Sequence, residues 1–318
     1  MAITAVGSVA LDTVETPFAV VENVLGGAMS YFTMAASLYD AVNVVAVIGT
    51  DFPAHHLERF TQRRTDLRGL RTAEGATFRW GGRYHMDMNT RETLFTELGV
   101  FAGFHPDLPE DYCRAEVIFL GNIIPALQLD VLRQTEAGGG RLRALDTMDL
   151  WIETARDDLL EVMRRVDIVM IAEEEARQLA GVSSLRAAAR FVLDLGPRML
   201  VLKQGSYGAL LFGADGSFFA GPAYPLDDVR DPTGAGDAFA GGFLGYLAGR
   251  LGSGARLAPL DYKRALVHGN IMGSFACEEF SVERLCGLTP EQIATRYREF
   301  VDFTHFEQGT WNDGQHKS

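Results

Sequence analysis

Cysteine is scarce in this 318-residue chain, and Cys113, Cys277 and Cys286 stand far apart with no CxxC pair among them. That spacing argues against a disulfide framework and against a zinc site, and leaves three reduced thiols. Long apolar runs are missing too: no stretch approaches the roughly 20 uninterrupted apolar residues that a membrane span requires, so no membrane partner is expected. The opening MAITAVGSVALD has no basic segment ahead of an apolar one. It reads as a first β-strand rather than a secretory signal, which makes the cytoplasm the expected location. Basic side chains are in deficit, 29 against 42 acidic, and the formal charge of −13 would repel a polyanion. Nucleic acid is therefore not an expected partner. Also absent are a GxxxxGKS or GxxxxGKT loop, an HRD loop with DFG, and a GxGxxG opening the helix after the first strand, which removes the commonest nucleotide-site signatures.

What is present is the composition of a globular protein, 47% apolar and 22% charged, in a chain long enough for one large α/β domain or for a main domain with a small appendage. Short β-branched runs, ITAVGSVA, VNVVAVIG, VIFLGN, RLRALDTM, VDIVMIA and MLVLKQG, alternate with amphipathic stretches, the pattern of a βαβ sheet. Runs such as VVAVI and IVMI are apolar at consecutive positions, as strands covered on both faces are. The expected architecture is doubly wound, a mainly parallel sheet flanked by helices. Three- and four-residue apolar spacing predicts helices over 29–38, 156–165, 185–195 and 262–277, and the chain beyond DPTGAGD reads as helical to about residue 303. Residues 77–101 break the alternation and read as either a small β-lid or a plain surface hairpin. Residues 307–318 form a polar tail, and His55 and His56, without a partner at metal-binding spacing, are expected on the surface.

The chemistry concentrates in Asp231-Pro232-Thr233-Gly234-Ala235-Gly236-Asp237, ahead of AFAGGFLGYLAG. A helix should begin near Gly234, where the first amides lack internal partners and sit at the positive end of the dipole. Gly234, Ala235 and Gly236 can thus present several N–H donors to an anion. Asp237 in that first turn would repel a bound phosphate, so its sensible use is as a general base toward an attacking hydroxyl. A lone GxG would read more simply as a glycine-rich helix start with an acid favoured by the dipole.

The full heptapeptide resembles the D-T-x-G-A-G-D signature of the ribokinase, or PfkB, family of carbohydrate and nucleoside kinases, matching at Asp231, Gly234, Ala235, Gly236 and Asp237. The resemblance runs from about residue 7 to 303. It implies a ribokinase-like kinase domain over residues 1–306, with the lid closing over substrate and offering a homodimer interface. It also implies use of ATP and Mg2+. GSVALD looks like the family's first strand with a substrate-binding acid, here Asp12; Gly26 and Gly27 resemble the glycine pair that approaches a sugar. VDIVMIAEEEARQLAG looks like the stretch that usually carries Asn-x-x-Glu, with Glu175 as the magnesium-side acid. VLKQGSYGALLF places Lys203, Gly205 and Gly208 near ATP, the signature's Asp231 goes with them, and VHGNIMGSFA offers Asn270 to the adenine.

Two positions depart from the pattern. Ala172 stands where Asn is expected and cannot hold a metal-bound water, a task that Glu173 and Glu174 are placed to take over. Tyr31 replaces an Asn after the glycine pair, and is expected to stack on a sugar face or a base while Asp12 accepts from hydroxyls. Arg79, Arg83, His85, Asn89 and Arg91 give the lid donors for substrate or for its own salt bridges. The expected reaction moves the γ-phosphoryl group of ATP to a hydroxymethyl group of a sugar or sugar-like acceptor. A nucleoside kinase is one alternative reading, and a catalytically weak nucleotide- or sugar-binding regulator is another.

Overall fold

The apolar runs become strands because β-branched residues fill both faces of a buried sheet. The computed structural model describes residues 2–139 and 142–305; the polar tail at 307–318 lies outside the described residues. In chain order its first half comprises β1 (Ala2–Val6), β2 (Ala10–Glu15), β3 (Val20–Gly26), α1 (Ala28–Ala36), β4 (Ala41–Gly49), α2 (Ala54–Thr61), β5 (Thr65–Ala73), β6 (Arg79–Tyr84), β7 (Arg91–Glu97), β8 (Val117–Leu120), α3 (Pro125–Thr135) and β9 (Leu142–Asp146). There follow α4 (Asp149–Thr154), α5 (Arg156–Met163), β10 (Ile168–Ala172), α6 (Glu173–Ala180), α7 (Leu185–Asp194), β11 (Met199–Lys203), β12 (Ala209–Gly213) and β13 (Phe218–Gly221). The chain then turns helical as expected, with α8 (Ala235–Gly252), α9 (Pro259–Ala276), α10 (Glu283–Cys286) and α11 (Pro290–Thr304).

Nine strands form the main sheet in the order β13-β12-β11-β10-β9-β8-β1-β4-β5. All neighbours are parallel except at β11-β12 and β12-β13. The chain winds from β1 outward through β4 and β5, then returns to β8 on the other side, so the switch point lies between β1 and β8. Alternation of side chains along each strand divides the core in two. Ile168 and Met170 face the layer of α1, α2, α8, α9, α10 and α11, whereas Val169 and Ile171 face α3 to α7. This is why consecutive positions in these strands are apolar. Among the described residues no helix is long and apolar enough to cross a membrane.

A second sheet, ordered β3-β2-β6-β7, stands off the first. The sequence places a lid at 77–101 alone, and β6 and β7 do come from there. The other two strands come from residues 10–26, which the sequence reading assigned to the first strand and the glycine pair. The run ITAVGSVA does not form one strand: β1 ends at Val6, the amide of Gly7 bonds the Val45 carbonyl at 3.2 Å, and the chain leaves the main sheet before β2. Asp12 therefore lies on the lid sheet. A further correction concerns His56, which is 6% exposed, with Nε2 3.3 Å from the Asn23 carbonyl. It is buried at the foot of the lid.

Helix α8 is apolar on every side, which fits its position between α1 and α9. Two glycines set the spacing. A Cβ on Gly241 would lie 2.5 Å from the Phe32 carbonyl of α1, and one on Gly242 would lie 2.5 Å from the His268 carbonyl of α9. The contacts are backbone to side-chain position, so neither neighbour can rotate away. Gly242→Ala is expected to cost about 1–3 kcal/mol in urea unfolding through overpacking. Gly249→Ala, on the same helix with open space around it, should be neutral or stabilising by up to about 1 kcal/mol. Equal effects at the two positions would contradict the close-packed account of α8.

Candidate active site

Strands β9, β10 and β11 run parallel and end at one edge of the sheet, which places Ala172 opposite Lys203 and Asp146 opposite Met170 near that edge. Lys203 Nζ lies 2.7 Å from both carboxylate oxygens of Asp146, and the two side chains are only 20% and 4% exposed. Burial alone would pull Lys203 down, but the charges of Asp146 and Glu175 hold it above its ordinary value, so the ammonium stays charged. Its Nζ would sit 3.4 Å from a Cβ on Gly236, directly beside the first turn of α8. Asp146 was not picked out from the sequence. The signal for it is an acid closing an otherwise apolar strand, at the end where parallel sheets carry their sites.

The loop into α8 is shaped by Asp231, which is fully buried and accepts from the Thr233 amide at 2.8 Å and the Ser281 amide at 3.1 Å. Its oxygens turn inward onto backbone, so its role here is to build the loop. Gly234 takes a left-handed conformation, φ +73, and a Cβ there would overlap the Tyr31 ring at 2.2 Å, so no other residue fits. The Ala235 amide bonds the Pro232 carbonyl at 3.2 Å and is thereby committed, whereas the amides of Gly234 and Gly236 make no backbone hydrogen bond. Two open donors remain at the helix start. Asp237, in the same turn, is pushed up to about 7, first by burial and then by the charge of Asp146, with Lys203 and Arg91 pulling back.

On the lid side, Asp12 is 3% exposed and its Oδ1 has no hydrogen-bond partner. Burial, and beyond it the charges of Asp231 and Asp237, push Asp12 up to about 8 despite the Gly27 amide. A Cβ on Gly26 would overlap the Asp12 carboxyl at 2.0 Å, and Gly27 caps α1 with φ +84, so the glycine pair does meet the acid. Tyr31 does not take its expected role. It is 1% exposed and lies beneath Gly234, so its ring cannot stack on a ligand; only its hydroxyl, without a partner, faces the acidic cluster. Burial and the charges of Asp231 and Asp12 raise it well above the ordinary phenol value.

Several lid donors are engaged within the protein. Arg79 binds Asn23 and, at 2.9 Å, Asp51, and Arg83 binds Glu15 at 2.6 Å. The lid reaches the loop before α8 through Tyr84, whose hydroxyl accepts from Thr233 Oγ1 at 3.2 Å. Within reach of Lys203 and Asp146, Glu175 accepts from the Ala172 amide at 2.9 Å, half of a helix cap that leaves its second oxygen available. Burial raises Glu175, with Lys203 pulling it down. Glu173 is turned toward Gln204 and Arg177, and Glu174 is exposed. Gly205 and Gly208, both with positive φ, shape the turn after β11. Asn270 is 7% exposed and donates to the carbonyls of Gly221 and Pro222, so only its oxygen is left for a ligand. Among the described residues no group of three or more His, Cys, Asp or Glu is gathered for a metal.

With this geometry in view, residues 124–285 match the sequence model of the pfkB family carbohydrate kinases. A cytidine kinase of Thermococcus kodakarensis is 34% identical over 77% of this chain and 88% of its own length. The structure of aminoimidazole riboside kinase from Salmonella enterica, complexed with aminoimidazole riboside and an ATP analog, superimposes with TM-score 0.73 at 23% identity, over 93% of this chain and 100% of that one. A Burkholderia thailandensis nucleoside kinase in complex with inosine gives TM-score 0.75 at 17% identity, over 93% and 97%. Both likenesses show the ribokinase-like fold that the heptapeptide resemblance implies.

The raised acids leave a signature in stability. An unfolded aspartate releases its proton near 3.8, whereas folded Asp12 keeps it to about 8. Between those values the native state holds the extra proton, so stability falls as pH rises through this window, and the full penalty is present above it. Asp12→Asn should therefore stabilise the ligand-free protein by roughly 1–3 kcal/mol at about pH 8.5, and the gain should vanish near about pH 4. Urea unfolding at the two pH values measures it; a variant less stable than wild type at the higher pH would contradict the assigned burial of charge.

Proposed function

The chain belongs to the PfkB family of carbohydrate kinases, and from that premise we propose that it transfers the γ-phosphoryl group of ATP to a hydroxymethyl oxygen, with Asp237 as general base. The observation that carries the reading is the first turn of α8. It holds a carboxyl group near neutrality beside two open amides and the Lys203 ammonium. A carboxylate there accepts the hydroxyl proton, the acceptor oxygen forms its bond to the γ-phosphorus, and the bond from that phosphorus to the bridging oxygen breaks, releasing ADP. The amides of Gly234 and Gly236, with Lys203, stabilise charge on the moving group. Lys203 also balances Asp237, which would otherwise repel the phosphates.

Magnesium fits the donors at hand, since it keeps several waters and takes only one or two carboxylates besides phosphate oxygens. Glu175 has one oxygen unengaged and faces Lys203 and Asp146, which makes it the carboxylate to hold such a hydrated ion. When bound, the ion supplies positive charge to the phosphates. Gly205 and Gly208 border the nucleotide. Asp12 accepts from acceptor hydroxyls with its unpartnered Oδ1, next to Gly26 and Gly27. The 34% identical relative, a cytidine kinase, favours a nucleoside acceptor over a free sugar. Residues 1–306 act as one unit with its lid. The lid's Phe18 and Val20, 65% and 57% exposed, support a homodimer formed there, and the free thiols accord with the cytoplasm.

The test is ADP release with ATP and magnesium across nucleosides, sugars, sugar acids and polyols, using wild type and Asp237→Asn. One acceptor should accelerate the wild type, and the variant should lose about 10²-fold or more in turnover while binding nucleotide. Near-normal turnover in the variant would remove Asp237 as the base.

A further inference from the structure

At the end of the main sheet away from Asp146 and Lys203, arginines gather where three segments enter their strands. Arg143 stands second in β9, Arg164 and Arg165 come just before β10, and Arg198 comes just before β11. Together with Glu136 and Asp167 they line an open pocket of about 780 Å³. In a chain of formal charge −13, a pocket so rich in arginine runs against the overall charge. The pocket also lies on the other face of the sheet from the candidate active site. Leu145 of β9 faces the layer of α3 to α7, and strand alternation sends Arg143 to that side and Asp146 to the other.

The acids around the pocket are spent before they reach Arg143. Asp167 accepts the Arg143 backbone amide on Oδ2 at 2.8 Å, returns its own amide to the Arg143 carbonyl at 2.8 Å, and takes Arg198 Nε on Oδ1 at 3.1 Å. It therefore fixes the backbone of one arginine and neutralises the other. Glu161 takes Arg165 at 2.6 Å and Arg164 at 3.3 Å, and Glu136 stands 3.8 Å from Arg165. The Arg143 guanidinium has no hydrogen bond or ion pair among the described residues, and its Nε is buried without a partner. A cation partly withdrawn from water with no counter-charge is costly, and native structures leave few such groups. An anion in the pocket supplies both the missing acceptor and the missing charge. The other three arginines can turn toward it, because their side chains are exposed and ion pairs there hold only weakly.

We infer that this pocket is a second anion site, remote from the first turn of α8, which takes a small ligand with more than one phosphate group, with Arg143 as its anchor. The guanidinium fork matches phosphate oxygens in a way a lysine does not. The lining has no aromatic ring on which a base could stack, so the recognised part is the phosphate and not a nucleobase. Arginines entering from three segments around so wide a pocket suit two phosphate groups better than one. Such a ligand joins the starts of β9, β10 and β11, and its binding stabilises the folded chain. The inference does not depend on the kinase reading.

Isothermal titration of pyrophosphate without magnesium, repeated with fructose 1,6-bisphosphate, is run on wild type, Arg143→Met, Arg164→Gln and Lys203→Met. At least one probe should bind wild type. Arg143→Met should lose about 10-fold or more of that affinity and Arg164→Gln about 3-fold. Lys203→Met, altered only beside α8, should keep it within about 2-fold. Tighter binding of pyrophosphate at the Arg143-dependent site makes the ligand a free phosphate anion, and tighter binding of the bisphosphate makes it a sugar ester; both support the site. The bound probe should also raise the urea midpoint of wild type and leave that of Arg143→Met in place. Should Arg143→Met fail to fold, Arg164→Gln, at an exposed position, decides the matter. The site is overturned if neither probe binds below about 10 mM, if the arginine variants bind as wild type does, or if the loss is confined to Lys203→Met.

Discussion

The open amides of Gly234 and Gly236 and the carboxyl of Asp237 share the first turn of α8, and most of the surrounding structure answers the conflict between them. The amides attract an anion and the carboxyl repels it. Lys203 resolves part of this, because it is pinned by Asp146 beside Gly236, where its charge is felt by both. Asp146 in turn pushes Asp237 up while keeping Lys203 charged. Burial raises Asp237 further, toward the value at which a base both accepts a proton and is available to do so. The turn cannot relax, since Gly234 rests on Tyr31 and α8 is wedged between α1 and α9 through glycines.

Such a site is costly to hold in the absence of ligand. Asp12, Asp231 and Asp237 are three acids raised by burial, Asp12 also by the charges of the other two and Asp237 by that of Asp146, and Asp12 and Tyr31 each keep a buried polar atom without a partner. Native proteins leave few such groups, and an unmet oxygen beside a glycine pair is what a hydroxyl-bearing ligand would satisfy. The stability lost there is recovered in two thick apolar layers on either side of the sheet.

Much of the fold was legible because strands buried on both faces write themselves as continuous apolar runs, and because a glycine-rich turn before an apolar helix announces its start. The heptapeptide at 231–237 was legible for the same reason, as local sequence fixes local geometry. What could not be read were pairings between distant segments. The second sheet joins residues 10–26 to 79–97, and β2 to β6 is a parallel pairing that no hairpin signal marks. Asp146 and Lys203 meet across the sheet edge, 57 positions apart. Tyr31 shows the opposite failure: its residue type suggested a ligand contact, but packing under Gly234 buries the ring. His56 was misjudged likewise, since nothing in its neighbourhood of sequence reveals the Asn23 carbonyl.

The central claim is that Asp237 titrates near neutrality because burial and Asp146 raise it against the pull of Lys203. Carbon-13 NMR of aspartate-labelled protein, with Asp237 assigned by its absence in Asp237→Asn, measures that titration directly without substrate. The account predicts a midpoint of about 7 in wild type and a higher one in Lys203→Met. A midpoint in the ordinary carboxylate range near 4, or one that falls when Lys203 is removed, would contradict it.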